Sequence, residues 1–207
     1  MKLLFISLGC DKNLVDTEFM LGLLQDDGLL QDDGLLQDDG LLQDDGILQN
    51  GNIEMTDDEY EADVIIINTC CFINDAKEES INTILEMAEH KKDAKVKALI
   101  VTGCLAQRYQ EEIQKEIPEV DAVIGIGADE DIVKVCQKAL VGISTSYFPD
   151  KCYLPLDDAR ILSTPSHWAY LKLSDGCDNR CSYCAIPLIR GSYRERKMES
   201  IINEAEA

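Results

Sequence analysis

Apolar residues come in four short unbroken runs, at 2–8, 62–69, 97–102 and 121–126, each rich in Ile, Val, Leu and Ala. A run that is continuous rather than alternating predicts a strand buried on both faces. Between the runs the period changes to that of a helix. Residues 75–90 place Ile81, Ile84, Leu85 and Ala88 on one face, with Asp75 as a candidate N-cap. Residues 13–24, 105–117 and 129–140 read the same way, and 52–56 predicts a short edge strand. Strands alternating with helices imply right-handed crossovers, so residues 1–140 predict an α/β domain with a doubly wound parallel sheet.

Two segments break this rhythm. Residues 23–46 are four copies of Leu-Leu-Gln-Asp-Asp-Gly, and a degenerate fifth runs to 52. A period of six matches neither helix nor strand, and a glycine in each copy interrupts both, so 23–52 reads as an insertion after the first helix. Closure entropy grows only with the logarithm of loop length, so such an insertion costs little. From 141 to 165 Gly, Ser, Thr and Pro accumulate, predicting a linker with room for one short strand. A new unit begins near 166, with a strand expected at 168–174 and a helix running toward 207.

Composition narrows the class. The opening apolar run is too short for the core of a signal peptide, and no stretch approaches the ~18 apolar residues of a membrane span, so a cytoplasmic protein is expected. The formal charge is −21, and the chain stays acidic when the aspartates of the repeat are set aside. No cluster of Lys and Arg offers a track for a phosphate backbone, so nucleic acid is not the expected partner and a basic protein is. The nine cysteines are too many for chance and odd in number. In a reducing compartment they point to metal ligation rather than disulfides.

The densest thiols are Cys177, Cys181 and Cys184, spaced C-x3-C-x2-C on a loop after a predicted strand. Three thiolates so spaced wrap three corners of a cubane iron–sulfur cluster and leave one iron without a protein ligand. A closed zinc site needs a fourth ligand that is not evident nearby. Cys10, Cys70 and Cys104 form a second pattern, because each follows the end of a predicted strand. Parallel strands end on one edge of a doubly wound sheet, so these three converge on one crevice, which permits a second three-cysteine cluster. Cys71 adjoins Cys70 and competes with it for iron. Cys136 falls on an apolar helix face and reads as core, and Cys152 lies in the linker.

The segment from Ser7-Leu8-Gly9-Cys10-Asp11-Lys12-Asn13-Leu14-Val15-Asp16 to Glu18, with Asn68-Thr69-Cys70, Thr102-Gly103-Cys104-Leu105-Ala106-Gln107 and 177–191, resembles the radical-SAM methylthiotransferase family. Leu171-Lys172-Leu173-Ser174-Asp175-Gly176-Cys177-Asp178-Asn179 is similar to the branch acting on a ribosomal protein rather than on tRNA. The resemblance implies two 4Fe-4S clusters and S-adenosyl-L-methionine. Cys177, Cys181 and Cys184 would hold the radical-generating cluster, with Tyr183 near the adenine or merely packed. Cys10, Cys70 and Cys104 would hold an auxiliary cluster carrying the sulfur to be transferred, with Cys70 selected over Cys71 by its Asn-Thr-Cys context. The implied substrate is an aspartate β-carbon of small-subunit ribosomal protein twelve, a basic partner, and an electron donor and a sulfur source are implied besides. The implied fold continues from 166–207 into a partial (β/α) barrel, so these 207 residues alone are expected to be inactive.

Two other readings stay open on sequence: a tRNA adenosine methylthiotransferase, and a non-catalytic zinc or iron–sulfur module. A nucleotide-binding domain of similar topology lacks any G-x-G-x-x-G or P-loop sequence. His90 and His167 call for no special role, and Lys172, Arg190, Arg194 and Arg196 read as solvated surface.

Overall fold

A computed structural model describes residues 1–26, 53–92, 95–150 and 160–206. The repeat from residue 27 onward and Cys152 lie outside these residues.

The predicted runs become strands β1 (Lys2–Ser7), β3 (Val64–Thr69), β4 (Ala98–Thr102) and β5 (Ala122–Ile124), joined by the expected edge strand β2 (Glu54–Met55). A sixth strand, β6 (Thr145–Tyr147), extends the sheet into the segment read as a linker. The order is β2-β1-β3-β4-β5-β6, with every pairing parallel. Successive residues of one strand face opposite layers. Val64 and Ile66 pack with α1 (Asp11–Asp26) and α5 (Ile132–Leu140), whereas Ile65 and Ile67 pack with α2 (Asn74–Lys92), α3 (Gly103–Arg108) and α4 (Gln110–Glu116). Burial on both faces is why these strands lack polar alternation. Cys136 sits in the α5 layer and burial pushes its thiol up to about 12, as a core cysteine should be.

Three expectations need correction. The helix expected at 105–117 is two helices, because Tyr109 between them has φ −125° and ψ 38°. Its ring leans on the core and its hydroxyl accepts a 3.1 Å hydrogen bond from Lys77 Nζ. The first helix, expected at 13–24, runs from Asp11 to Asp26, so residues 23–26, read as the start of the insertion, are helical and Leu24 is buried in the core. The strand expected at 168–174 is reduced to β7 (Ser174–Asp175), antiparallel to β8 (Arg194–Glu195). The carbonyls of Tyr170 and Lys172 accept instead from the side chains of Arg160 and Arg196, so no ladder forms there.

Between β7 and β8 a loop leads into α6 (Ile186–Ile189), and α7 (Met198–Glu206) follows. Helix α1 lies between the sheet and this unit, with Val15 and Phe19 packed beside Tyr170. Among the described residues no helix is long and apolar enough to cross a membrane.

Candidate functional site

The strand order reverses direction of growth between β1 and β3, the switch point at which open α/β sheets leave a crevice beyond the strand ends. Those ends are level: Ser7 pairs with Asn68, and Asn68 with Thr102. The bridge between Thr69 and Gly103 carries the register one step further. Cys70 and Cys104 therefore leave neighbouring strands side by side. Cys10 lies at the start of α1, where its carbonyl accepts from the amides of Asn13 at 2.9 Å and Leu14 at 3.2 Å. Gly9 closes the set. Its φ of +96° suits glycine, and a Cβ there would overlap that of Cys70 and stand 2.7 Å from the Cys70 sulfur. Cys10 and Cys70 thus share one crevice because residue 9 has no side chain. Replacing Gly9 by alanine is expected to cost about 1–3 kcal/mol and to depress iron uptake. Denaturation curves and iron content of the reconstituted variant check both effects.

The structure distinguishes the adjacent thiols. Cys71 Sγ donates to the Cys104 carbonyl at 3.2 Å and belongs to the core, whereas Cys70 faces Gly9. Cys70 and Cys104 are both buried and Cys10 is exposed. Burial pushes the Cys104 thiol up to about 12, against the pull of the nearby Arg190 guanidinium. Among the described residues no three His, Cys, Asp or Glu groups stand close enough to hold a metal ion. A single ion needs its thiolates ~2.3 Å from one centre. Three cysteines beyond neighbouring strand ends are the kind of donor set that a cubane takes at separate corners.

The second trio occupies the loop between β7 and α6. Its entrance is pinned by Gly176, whose φ of +74° lets it lie against the Ser192 carbonyl, where a Cβ would clash. The Cys177 amide donates to the Gly191 carbonyl at 3.1 Å and the Cys184 amide to that of Cys181 at 3.1 Å. Cys181 is exposed and the other two are half-buried. Tyr183 is 90% exposed, so within this chain it packs against nothing.

Between the trios lies a buried polar network that the sequence reading missed. Lys172, Arg190 and Arg196, expected on the surface, are all buried, and Arg190 is among the largest fully buried side chains. Arg190 Nη1 donates to Asp175 Oδ2 at 2.7 Å and to Asp16 Oδ2 at 3.2 Å, and its Nη2 to Asn13 Oδ1 at 2.6 Å. Lys172 Nζ reaches Asp16 Oδ1 at 2.5 Å and Asp175 Oδ2 at 3.0 Å. Burial raises Asp175, but Lys172 and Arg190 outweigh it and hold the carboxyl well below the usual range. Asn13, itself buried, donates to the carbonyls of Leu8 at 2.9 Å and Thr69 at 3.0 Å, tying the ends of β1 and β3 together. The readable signal was Asn13 and Asp16 on a helix whose neighbours Val15, Phe19 and Met20 are core residues. A charge among apolar positions asks for a buried partner.

Asp129 adjoins this network on the turn Asp129–Asp131. Burial and the Asp16 carboxylate push it up to about 7. Below about pH 7, where Asp129 is neutral, Asp16 and Asp175 balance Lys172 and Arg190. An acid raised above its unfolded value of ~3.9 imposes no penalty below that pH, and erodes stability as pH climbs toward the folded value. Replacing Asp129 by asparagine is therefore expected to stabilise the chain by about 1 kcal/mol at pH 8 and to change nothing near pH 3.5. Urea titrations at the two pH values check this.

A flavodoxin-like parallel sheet with Cys10, Cys70 and Cys104 just beyond its strand ends, followed by a C-x3-C-x2-C loop, defines the class as a cysteine-bearing α/β protein. Residues 36–125 match the family described as "Uncharacterized protein family UPF0004". The chain is 51% identical, over its whole length, to a protein of Lachnoclostridium phytofermentans named ribosomal protein uS12 methylthiotransferase RimO, and covers 42% of that relative. Relatives of the same name from Acetivibrio thermocellus and Clostridioides difficile are 50% and 44% identical over 97% and 100% of the chain, and 41% of each is covered. The chain is similar to these relatives along nearly its whole length and spans about two-fifths of theirs.

Proposed function

We propose that the chain carries the two thiolate sites of a radical-SAM methylthiotransferase acting on an aspartate of the basic ribosomal protein uS12. The observation that carries this reading is that Cys10, Cys70 and Cys104 each follow a strand on one edge of the parallel sheet, in a chain that also bears the C-x3-C-x2-C loop. It is supported by the name shared by relatives about half identical to it.

In this reading Cys10, Cys70 and Cys104 hold one 4Fe-4S cluster, and Cys177, Cys181 and Cys184 hold the other with S-adenosyl-L-methionine beside it. The bound groups supply one-electron cleavage of the sulfonium and a sulfur for transfer. What the chain's own residues contribute is placement. Gly9 admits Cys70 to the Cys10 crevice, Asn13 ties the strand ends that present the thiols, and Gly176 fixes the entrance of the second loop. Cys71 keeps its sulfur on the Cys104 carbonyl, outside the ligand set. Tyr183, open to solvent, is free to lie against an adenine. The acidic surface suits a basic substrate, whose encounter it would speed at low salt.

A chimera in which this chain replaces the matching residues of the L. phytofermentans relative tests the assignment. Supplied with reductant, sulfide and S-adenosylmethionine, it is expected to add one methylthio group to a uS12 peptide and none to tRNA. The addition should vanish with Cys181→Ala. Modification of tRNA in place of the peptide would contradict the substrate, and zinc in place of iron would contradict the chemistry.

A further inference from the structure

Arg190 occupies a place that neither cysteine motif explains. It is fully buried and lies 13 residues beyond Cys177, yet its fork reaches both α1 and β7. One nitrogen binds Asp175, two residues before Cys177 on the strand that launches the second loop. The other binds Asn13 Oδ1 at 2.6 Å, three residues after Cys10. The same Asn13 oxygen accepts from Cys104 Sγ at 3.7 Å, so guanidinium and thiol share one acceptor. Asp16, one turn along α1, receives both Arg190 and Lys172. The backbone reinforces the link, since Lys12 Nζ donates to the Ser174 carbonyl at 2.8 Å.

We propose that Arg190 is a positioning residue that struts the two cysteine trios apart at a fixed distance, joining the strand-end site through Asn13 and Asp16 to the C-x3-C-x2-C loop through Asp175. This rests on the reading of the trios as two cluster sites. A planar guanidinium suits the task, because it offers several donors in one rigid fork, whereas a lysine ammonium is a point charge on a flexible stem. Burial strengthens the requirement: a desolvated guanidinium left without one partner is costly, so loop and helix cannot drift independently. Two centres that must act on one substrate atom need this kind of registration, since an error of about 1 Å in placement costs on the order of 100-fold in rate.

The test uses the 207-residue chain, reconstituted anaerobically with iron and sulfide and reduced with dithionite. In the parent chain the two reduced centres are expected to show a spin–spin interaction in the electron paramagnetic resonance spectrum. Arg190→Gln is expected to keep its iron content but to broaden or lose that interaction, with Arg190→Lys falling between. A merely structural role would lower stability and leave the interaction unchanged in whatever chain remains folded. An unaltered interaction in folded, iron-replete Arg190→Gln overturns the proposal. If Arg190→Gln does not fold, Asp175→Asn carries the same test, as it frees the loop and leaves Arg190 held by Asn13 and Asp16. Failure of the parent chain to take up iron would instead defeat the two-site reading. Hydrogen exchange on metal-free protein then decides the strut: exchange in 176–185 is expected to rise at least tenfold in Asp175→Asn while β3 and β4 stay protected, and equal exchange overturns it.

Discussion

Replacing Asp16 by asparagine is expected to destabilise the chain by roughly 3–5 kcal/mol, the cost of breaking a buried ion cluster from one side. Asp16 receives Lys172 and both terminal nitrogens of Arg190, and all three residues are buried. Asparagine keeps the shape but leaves two cations facing the Asp175 carboxylate alone. At this chain length the loss corresponds to a fall in melting temperature of about 10 °C. The network predicts a further effect that a simple cavity would not produce. In the parent chain burial and the Asp16 charge raise Asp129, so its ionised form is penalised at pH 8. Once that charge is gone, the penalty on ionised Asp129 shrinks and its charge offsets part of the unpaired positive charge of Lys172 and Arg190. Asp129→Asn should therefore stabilise the parent chain at pH 8 and destabilise the Asp16→Asn chain, a reversal of sign read from a double-mutant cycle. Additive effects of the two substitutions would refute the charge balance described here.

Much of the sheet was legible because its signal is one-dimensional. Uninterrupted apolar residues at 64–67 and 98–101 leave no polar face, so a doubly covered strand is the consistent outcome. The placement of Cys10, Cys70 and Cys104 beyond strand ends on one edge followed from the same topology, since parallel strands share one exit edge. What stayed hidden was interaction across long sequence separations. Lys172 and Arg190 look like surface cations until Asp16, more than 150 residues earlier, is known to lie beside them. The strand expected at 168–174 failed for a related reason, because arginine side chains take the carbonyls that a neighbouring strand would have used. The break at Tyr109 has no propensity signal; tertiary packing of the ring decides it. Cys70 and Cys71 were separable only by context in the sequence, and the hydrogen bond from Cys71 to the Cys104 carbonyl supplies the physical distinction.

That distinction leads to the second large effect. Cys10→Ala, Cys70→Ala and Cys104→Ala combined are expected to remove about half of the bound iron and sulfide, and the matching change at Cys177, Cys181 and Cys184 the other half. The halves should be independent, because the trios share no ligand. Cys71→Ala should keep the full complement, since its sulfur already serves the Cys104 carbonyl. Cys136→Ala should also keep it, at a stability cost of about 1 kcal/mol for the small cavity in the α5 layer.

Iron and sulfide counted per chain after anaerobic reconstitution, in the parent and in each triple variant, address the claim of two separate sites most directly. The account predicts about eight irons in the parent and about four in either variant, with matching sulfide. A parent that holds no more than about four, all lost when Cys177, Cys181 and Cys184 are changed and none lost when Cys10, Cys70 and Cys104 are, would contradict it.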